Sequence, residues 1–249
     1  MFTSEQRDSL RSALVDFGAK DQRISGGAIT GSAANGREDR WSDIDLAFGV
    51  RDAAELPTVL SDWTAHMYKR HLALHHLDVR SGAWLYRVFL LPSTLQVDLA
   101  FVPASEFKAL TPSFRLVFGK ANEPGNTSAP APGDIIGLAW LHALHARTCI
   151  ARRELWRAEY MISGTRDNAL ALVCIRHGLP TAHGRGMDRL PKDVAAKFEG
   201  SLVQRLDTKE LCRAFRVVIQ GLLSEIRFVD GELAARLQST LTALTESSD

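Results

Sequence analysis

The fold of this chain is decided by the stretch Thr30-Gly31-Ser32-Ala33-Ala34-Asn35-Gly36-Arg37-Glu38-Asp39-Arg40-Trp41-Ser42-Asp43-Ile44-Asp45-Leu46. A Gly-Ser pair follows an apolar run, and Asp43 and Asp45 follow after a polar spacer, separated by one isoleucine. If Ile44 lies in a strand, the alternation of side chains puts both carboxylates on one face. Two carboxylates on one face can share hard divalent cations, which take oxygen ligands. Two such cations would clamp the entering and leaving oxygens of a phosphoryl displacement.

A third aspartate occurs in a second apolar segment, Leu95-Gln96-Val97-Asp98-Leu99-Ala100-Phe101-Val102. Strand-forming residues in partial alternation flank Asp98 and predict a β-strand. A carboxylate inside such a strand is costly unless it is paired or bound to a metal. Asp43, Asp45 and Asp98 together therefore predict a metal site.

The order Gly31, Ser32, Asp43, Asp45 and Asp98 resembles the signature of the DNA polymerase β-like nucleotidyltransferase superfamily. That signature is an apolar residue, Gly, then Gly or Ser, a spacer, Asp-apolar-Asp and a later third carboxylate. Thr30 stands where the signature has an apolar residue. The short Gly-Ser turn with Trp-Ser-Asp-Ile-Asp-Leu is most similar to the bacterial antibiotic nucleotidyltransferases, which act on aminoglycosides or lincosamides. The resemblance covers about the first 105 residues well and the remainder only loosely.

The resemblance implies an enzyme that moves a nucleoside monophosphate, AMP as the first expectation, from an NTP to a hydroxyl group and releases pyrophosphate. It implies that Asp43, Asp45 and Asp98 are catalytic and bind two Mg²⁺ ions. Gly31 and Ser32 would bind the nucleotide, with the Ser32 hydroxyl on the β- or γ-phosphate. ATP binding and a role in antibiotic resistance follow as expectations.

The pattern of the chain predicts an α+β fold. A helix over 4–19 precedes a mixed sheet with helices on one side, and strands are predicted at 23–30, 42–50, 75–80, 84–91 and 95–102, with a helix at 56–70. The expected catalytic domain is 1–120. Residues 121–133, which are small, polar and proline-rich, read as a linker.

The expected substrate-binding domain, 134–249, has a helical periodicity and predicts a helical bundle. Asp134 is expected as the N-cap of its first helix. Further helices are predicted at about 151–163, 166–177, 191–198, 208–227 and 230–246.

The helical half also supplies candidates for a general base and a phosphate ligand. Trp156, Glu159, Tyr160 and Ser163 recur at spacings of three and four and would share one face of a continuous helix. Relatives in the resembled family often supply a base near the acceptor hydroxyl from this half, so Glu159 is the first candidate and Glu154 the second. Asp98 is a third, because it takes that role in some relatives.

Arg166 follows Gly164-Thr165 and is a candidate ligand of the γ-phosphate. The alternatives for these residues are structural. Glu159 would pair with a surface arginine, and Arg166 would form a local ion pair with Asp167 or Glu159.

Composition sets broader limits. The chain has 249 residues, 45% of them hydrophobic, and a formal net charge of +1 without a long block of like charge, which disfavours a broad nucleic-acid footprint. Cys149, Cys174 and Cys212 are far apart, so reduced thiols are expected. The sequence shows neither a signal peptide nor an apolar run of membrane-spanning length, and a cytoplasmic protein without a membrane partner is expected.

The acceptor is left open by the sequence. A small hydroxylated antibiotic bound between the two halves is the first expectation. Six arginines of the second half disfavour a strongly cationic acceptor: Arg147, Arg152, Arg153, Arg157, Arg166 and Arg176. The alternative is a toxin-type nucleotidyltransferase that modifies tRNA or a protein. A non-catalytic binding module is the third interpretation, which the intact set of three acids disfavours. The oligomeric state does not follow from the sequence.

Overall fold

A computed structural model describes residues 1–124 and 130–246 of the chain. It divides into two units, Met1–Thr127 and Ser128–Asp249. The predicted fold class, α+β, is confirmed: the first unit holds a mixed sheet with helices, and the second is helical.

The sheet of the first unit consists of six strands. They are β1 (Ile24–Thr30), β2 (Ile44–Val50), β3 (His75–Ser81), β4 (Trp84–Leu90), β5 (Gln96–Pro103) and β6 (Phe114–Gly119). The strands lie in the order β3-β4-β5-β2-β1-β6. The central pair, β2 and β5, is parallel, and the other neighbouring pairs are antiparallel. The first five strands agree with the sequence prediction to within two residues, whereas β6 was not predicted.

One face of this sheet carries the larger core. The described residues of this unit form three α-helices: α1 (Ser4–Lys20), α2 (Gly31–Ala34) and α3 (Leu56–His71). α1 begins with a capping box between Thr3 and Gln6. Large apolar side chains from α1, α3 and the strands pack together, among them Leu14, Phe48, Trp63, Met67 and Phe101. This packing uses every second residue of β2 and β5.

The opposite face of the sheet carries a smaller core with several small side chains. Its buried members are Ala28, Ala47, Trp84, Ala100, Val102 and Phe107. Alternation along β2 and β5 places Asp45 on the face of Ala47, and Asp98 on the face of Ala100. The two aspartates therefore lie on the face opposite to α1 and α3.

The second unit contains five α-helices in its described residues. They are α4 (Pro132–Ala151), α5 (Leu155–Arg176), α6 (Lys192–Glu199), α7 (Thr208–Val229) and α8 (Gly231–Ala243). α4 begins earlier than predicted, because Pro132 occupies its first turn and Ala131 is the N-cap. The expectation that Asp134 caps this helix is therefore wrong, and Asp134 lies in the first turn.

The two helices predicted at 151–163 and 166–177 are a single helix, α5. Gly164 does not interrupt it. A Cβ at this position would lie 2.8 Å from the His142 side chain of α4, so glycine allows the two helices to approach closely. The Thr165 side chain is fully buried and donates its hydroxyl to the Met161 carbonyl at 2.9 Å. The small residues that suggested a break thus serve the close packing of α4 and α5.

Three further expectations concern the whole chain. Each of the three cysteines lies in the described part of the chain and is a free thiol. Within residues 1–124 and 130–246, no helix is long and apolar enough to cross a membrane. Of the predicted linker 121–133, residues 125–129 lie outside the described residues.

Candidate active site

Three carboxylates meet at one end of the central strand pair. Asp45 and Asp98 lie directly opposite each other in the parallel register of β2 and β5, so their side chains leave the sheet on the same face. Asp43 lies two residues earlier, just before β2 begins at Ile44. One carboxylate oxygen from each residue lies within 4.8 Å of the others. Among residues 1–124 and 130–246, no other group of three or more potential metal ligands is so close.

The environment of Asp98 disfavours its negative charge. Burial, together with the charge of Asp43, raises the pKa of the Asp98 carboxyl from 3.8 to about 6. Gln96 counteracts this in part, since its amide nitrogen donates to Asp98 Oδ1 at 2.9 Å and to Asp43 Oδ2 at 3.4 Å. The cluster thus concentrates negative charge that a cation would neutralise.

Gln96 was missed as a site residue in the sequence analysis. A signal for it was present, because Gln96 lies two residues before Asp98 and strand alternation puts both side chains on one face. The exposed Gln96 amide bridges two of the three carboxylates.

Gly31 approaches the carboxylates closely. Its φ is +63°, a conformation that favours glycine, and a Cβ at this position would overlap the Asp45 carboxylate. Ser32 follows it in the short helix α2, with a partly exposed side chain. The predicted nucleotide-binding pair, Gly31 and Ser32, therefore lies beside the triad of Asp43, Asp45 and Asp98.

The loop between α2 and Asp43 exposes an aromatic and cationic pair. Trp41 is 65% exposed, and the Arg40 guanidinium carbon lies 4.2 Å from the centre of its ring. Such a cation–π contact leaves most of the indole surface in water.

The predicted residues of the second unit form their own local network on α5. Glu159 Oε1 accepts a hydrogen bond from Ser163 Oγ at 2.6 Å, and Ser163 Oγ accepts one from Arg166 at 3.0 Å. Arg166 Nε also lies 3.7 Å from Asp167 Oδ1, which is one of the two local ion pairs that the sequence offered as an alternative to phosphate binding. Glu154, the second candidate for the base, pairs with Arg157 at 3.2 Å.

The exposed side of α5 carries aromatic rings next to positive charge. Trp156 is 78% exposed and Tyr160 67% exposed, one turn apart on the helix. Arg152, Arg153 and Arg157 are exposed close to them in the sequence. Exposed rings flanked by arginines are a common feature of surfaces that bind unstacked nucleic-acid bases.

The chain is similar to solved structures at low sequence identity. No protein-family model matches the chain, and no curated protein matches it. Among solved structures, an aminoglycoside 6-adenyltransferase from Bacillus subtilis is 13% identical, with a TM-score of 0.44, over 99% of this chain and 100% of that chain. The polymerase core of TRAMP, an RNA surveillance complex, is 11% identical, with a TM-score of 0.30, over 100% of this chain and 85% of that chain. TM-scores below 0.5 support no statement about the activity of this chain.

Proposed function

We propose that the chain is a nucleotidyltransferase that depends on divalent cations. It moves a nucleoside monophosphate, AMP as the first choice, from an NTP to an acceptor hydroxyl and releases pyrophosphate. The observation that carries this proposal is the convergence of Asp43, Asp45 and Asp98 within 4.8 Å of one another, with Gly31 against Asp45. A Gly-Ser turn beside three carboxylates provides groups for both the phosphates and the cations.

The triad suits magnesium by the chemistry of its donor atoms. All three residues offer carboxylate oxygens, the ligands that Mg²⁺ prefers, and none offers sulfur or imidazole. Burial first, and then the Asp43 charge, raises the pKa of the Asp98 carboxyl, so a bound cation would favour the charged form that the protein alone disfavours. When bound, two Mg²⁺ ions would neutralise the charge that develops on the entering and leaving oxygens.

The residues of the chain are proposed to position the substrates and to handle one proton. Ser32 donates its hydroxyl to a phosphate oxygen of the leaving pyrophosphate, and Gly31 lets the backbone approach it. Arg166 is proposed as a second phosphate ligand. Glu159 is proposed to accept the proton of the acceptor hydroxyl, with Glu154 and Asp98 as alternatives. Orientation and charge neutralisation would provide most of the rate.

The acceptor class has two candidates. A small hydroxylated antibiotic, which would make the protein a cytoplasmic resistance enzyme, is the first. The second is a tRNA, or a protein in a toxin-type enzyme, and the exposed rings of Trp156 and Tyr160 beside three arginines favour its RNA form.

The reaction is tested by a screen for pyrophosphate release with purified protein. ATP, GTP, CTP and UTP are each combined with Mg²⁺ and with aminoglycosides, lincosamides, total tRNA or a total protein extract. We expect release with one NTP, ATP first, only when a suitable acceptor and Mg²⁺ are both present. If labelled nucleotide were transferred to tRNA and to none of the antibiotics, the antibiotic would be rejected as the acceptor. The absence of release in every combination, from protein shown to be folded, would contradict the proposed function.

A further inference from the structure

The three carboxylates of the triad are not held in place in the same way. The hydrogen bonds of the parallel pair β2–β5 fix Asp45 and Asp98 in register with each other. Asp43 precedes the first residue of β2, so the pairing of the sheet does not extend to it. Its backbone position depends on the loop 35–42, which follows α2, while its side chain also lies 3.4 Å from the exposed Gln96 amide nitrogen. The contacts that hold the loop therefore contribute to the geometry of the triad.

The loop is held from α1 by two arginines: Arg11 pairs with Glu38, and the buried Arg7 makes the larger number of contacts. The Arg7 side chain is 4% exposed, and burial of this degree is rare for arginine unless the guanidinium is paired. One terminal nitrogen of Arg7 lies 2.5 Å from the Asp39 carbonyl oxygen and 3.4 Å from that of Ser42. Its Nε lies 3.3 Å from Glu38 Oε1 and 3.2 Å from Asp8 Oδ1. Arg7 thus contacts the loop at three residues.

The part of the loop that Arg7 contacts is itself an ordered turn. Asp39 Oδ1 accepts hydrogen bonds from the Trp41 backbone nitrogen at 2.8 Å and from Ser42 Oγ at 3.1 Å. Ser42 Oγ in turn accepts one from the Asp39 backbone nitrogen at 2.9 Å. Arg7 therefore binds both ends of a closed turn, and the Ser42 carbonyl that it contacts belongs to the peptide bond that leads into Asp43.

We propose that Arg7 is a positioning residue for the metal site, acting on Asp43 through the turn 39–42. The inference rests on the proposed function in the sense that the triad must bind a divalent cation. Arginine suits this task better than lysine, because its planar fork can donate to two carbonyl oxygens and to a carboxylate at the same time. A misplacement of a catalytic group by about 1 Å can cost 10²-fold in rate.

The test compares Arg7→Lys with a matched change, Arg23→Lys. Arg23 also donates to carboxylates in the first unit, to Asp21 at 2.9 Å and to Asp62 at 2.8 Å, and is paired away from the loop. Mn²⁺ affinity is measured by electron paramagnetic resonance without nucleotide, and the melting temperature by circular dichroism. We expect Arg7→Lys to weaken Mn²⁺ binding at least tenfold, and Arg23→Lys to change it less than twofold.

A second variant covers the case that Arg7→Lys does not fold. Asp39→Ala, at an exposed position, opens the turn 39–42 from the solvent side and should also weaken Mn²⁺ binding. In the pyrophosphate assay, both variants should raise the Mg²⁺ concentration for half-maximal rate and lower kcat, with the KM for NTP changed less than threefold. Mn²⁺ affinity equal to wild type in folded Arg7→Lys or Asp39→Ala would overturn the proposal.

The two readouts separate this inference from the proposed function. If wild-type protein binds Mn²⁺ but no acceptor supports pyrophosphate release, the function fails while the role of Arg7 is still decided by the binding measurement. If wild-type protein does not bind Mn²⁺ at millimolar concentration, both fail.

Discussion

The two faces of the six-stranded sheet carry different kinds of side chain, although the same strands form both. On the face covered by α1 and α3, Phe48, Trp63 and Phe101 are buried in a large aromatic and aliphatic core. On the other face, Ala47 and Ala100 follow Asp45 and Asp98 by two residues, and the small side chains leave the carboxylates partly exposed. Asp45 belongs to the carboxylate triad, whereas the next residue of β2, Leu46, points to the opposite face and packs in the larger core.

Strand alternation therefore places the residues that stabilise the sheet and those of the candidate site on opposite faces. Changes on the carboxylate face should alter activity and leave the fold intact, whereas changes on the packed face should do the reverse. Two experiments test this separation, and a third, with a smaller effect, measures where it is incomplete, because the buried Asp98 carboxylate also affects stability.

The largest effect is expected for Asp43→Asn, which keeps the shape of the side chain and removes its charge. We expect the rate of pyrophosphate release to fall by about 10³-fold, since removal of a single electrostatic group at a reaction centre costs up to this factor. The melting temperature should stay close to that of wild type. The control is Asp16→Asn, the same change at an exposed position of α1. Full turnover by Asp43→Asn would reject the assignment of the site.

The packed face is tested by Phe48→Ala. Phe48 is fully buried, and its ring centre lies 4.6 Å from that of Trp63 and 5.6 Å from that of Phe101. Removal of such a ring should lower the free energy of unfolding by ~3–5 kcal/mol, measured by urea denaturation. Leu116→Ala, at an exposed position of β6, should cost less than ~1 kcal/mol. The two faces would not be independent if the folded fraction of Phe48→Ala lost activity as Asp43→Asn does.

The smallest effect is a pH dependence of stability that Asp98 causes. Burial and the Asp43 charge raise the pKa of Asp98 from 3.8 to about 6 in the folded protein, so folding favours the protonated carboxyl. The free energy of unfolding should therefore fall as the pH rises from about 4 to about 6, because the unfolded chain releases this proton first. At pH 7.5 in EDTA, Asp98→Asn should be more stable than wild type by ~1–2 kcal/mol, allowing for solvent screening.

At pH 4 the advantage of Asp98→Asn should largely disappear, because the wild-type carboxyl is then protonated in the folded state. Addition of Mg²⁺ at pH 7.5 should stabilise wild type more than Asp98→Asn, if the triad binds the ion. An equal stability difference at pH 4 and pH 7.5 would show that the carboxyl charge is not the cause. Urea denaturation at both pH values provides the measurement.

The elements with a strong periodicity could be predicted from the sequence, and those that depend on a neighbour could not. The strand β2 was expected from 42 and begins at Ile44, which leaves Asp43 in the loop. The strand β6 has strand-forming residues but pairs at the edge of the sheet with β1, and such pairing has little local signal. Two helices were predicted where the structure has the single helix α5, because the low helix propensity of Gly164 suggested an interruption.

The candidate site shows the same division. Asp45 and Asp98 could be paired from the sequence, since each is flanked by apolar residues of a predicted strand. The position of Gln96 on the same face as Asp98 could also be predicted from strand alternation. The contacts of Arg7 could not be predicted, because an arginine on a predicted surface helix has no local sign that it will be buried against a loop more than 30 residues away.

Local sequence patterns were sufficient to predict the α+β class, the strands that carry Asp45 and Asp98, and the Gly-Ser turn with its spacer to Asp43 and Asp45. They were sufficient because side-chain alternation and glycine conformation are local properties of the backbone. Three further properties follow from the folded chain and not from local patterns: Gly31 lies against the Asp45 carboxylate, the Asp98 pKa is raised, and Arg7 contacts the turn before Asp43. These properties depend on burial and on distances between residues far apart in the chain, which local sequence patterns do not encode.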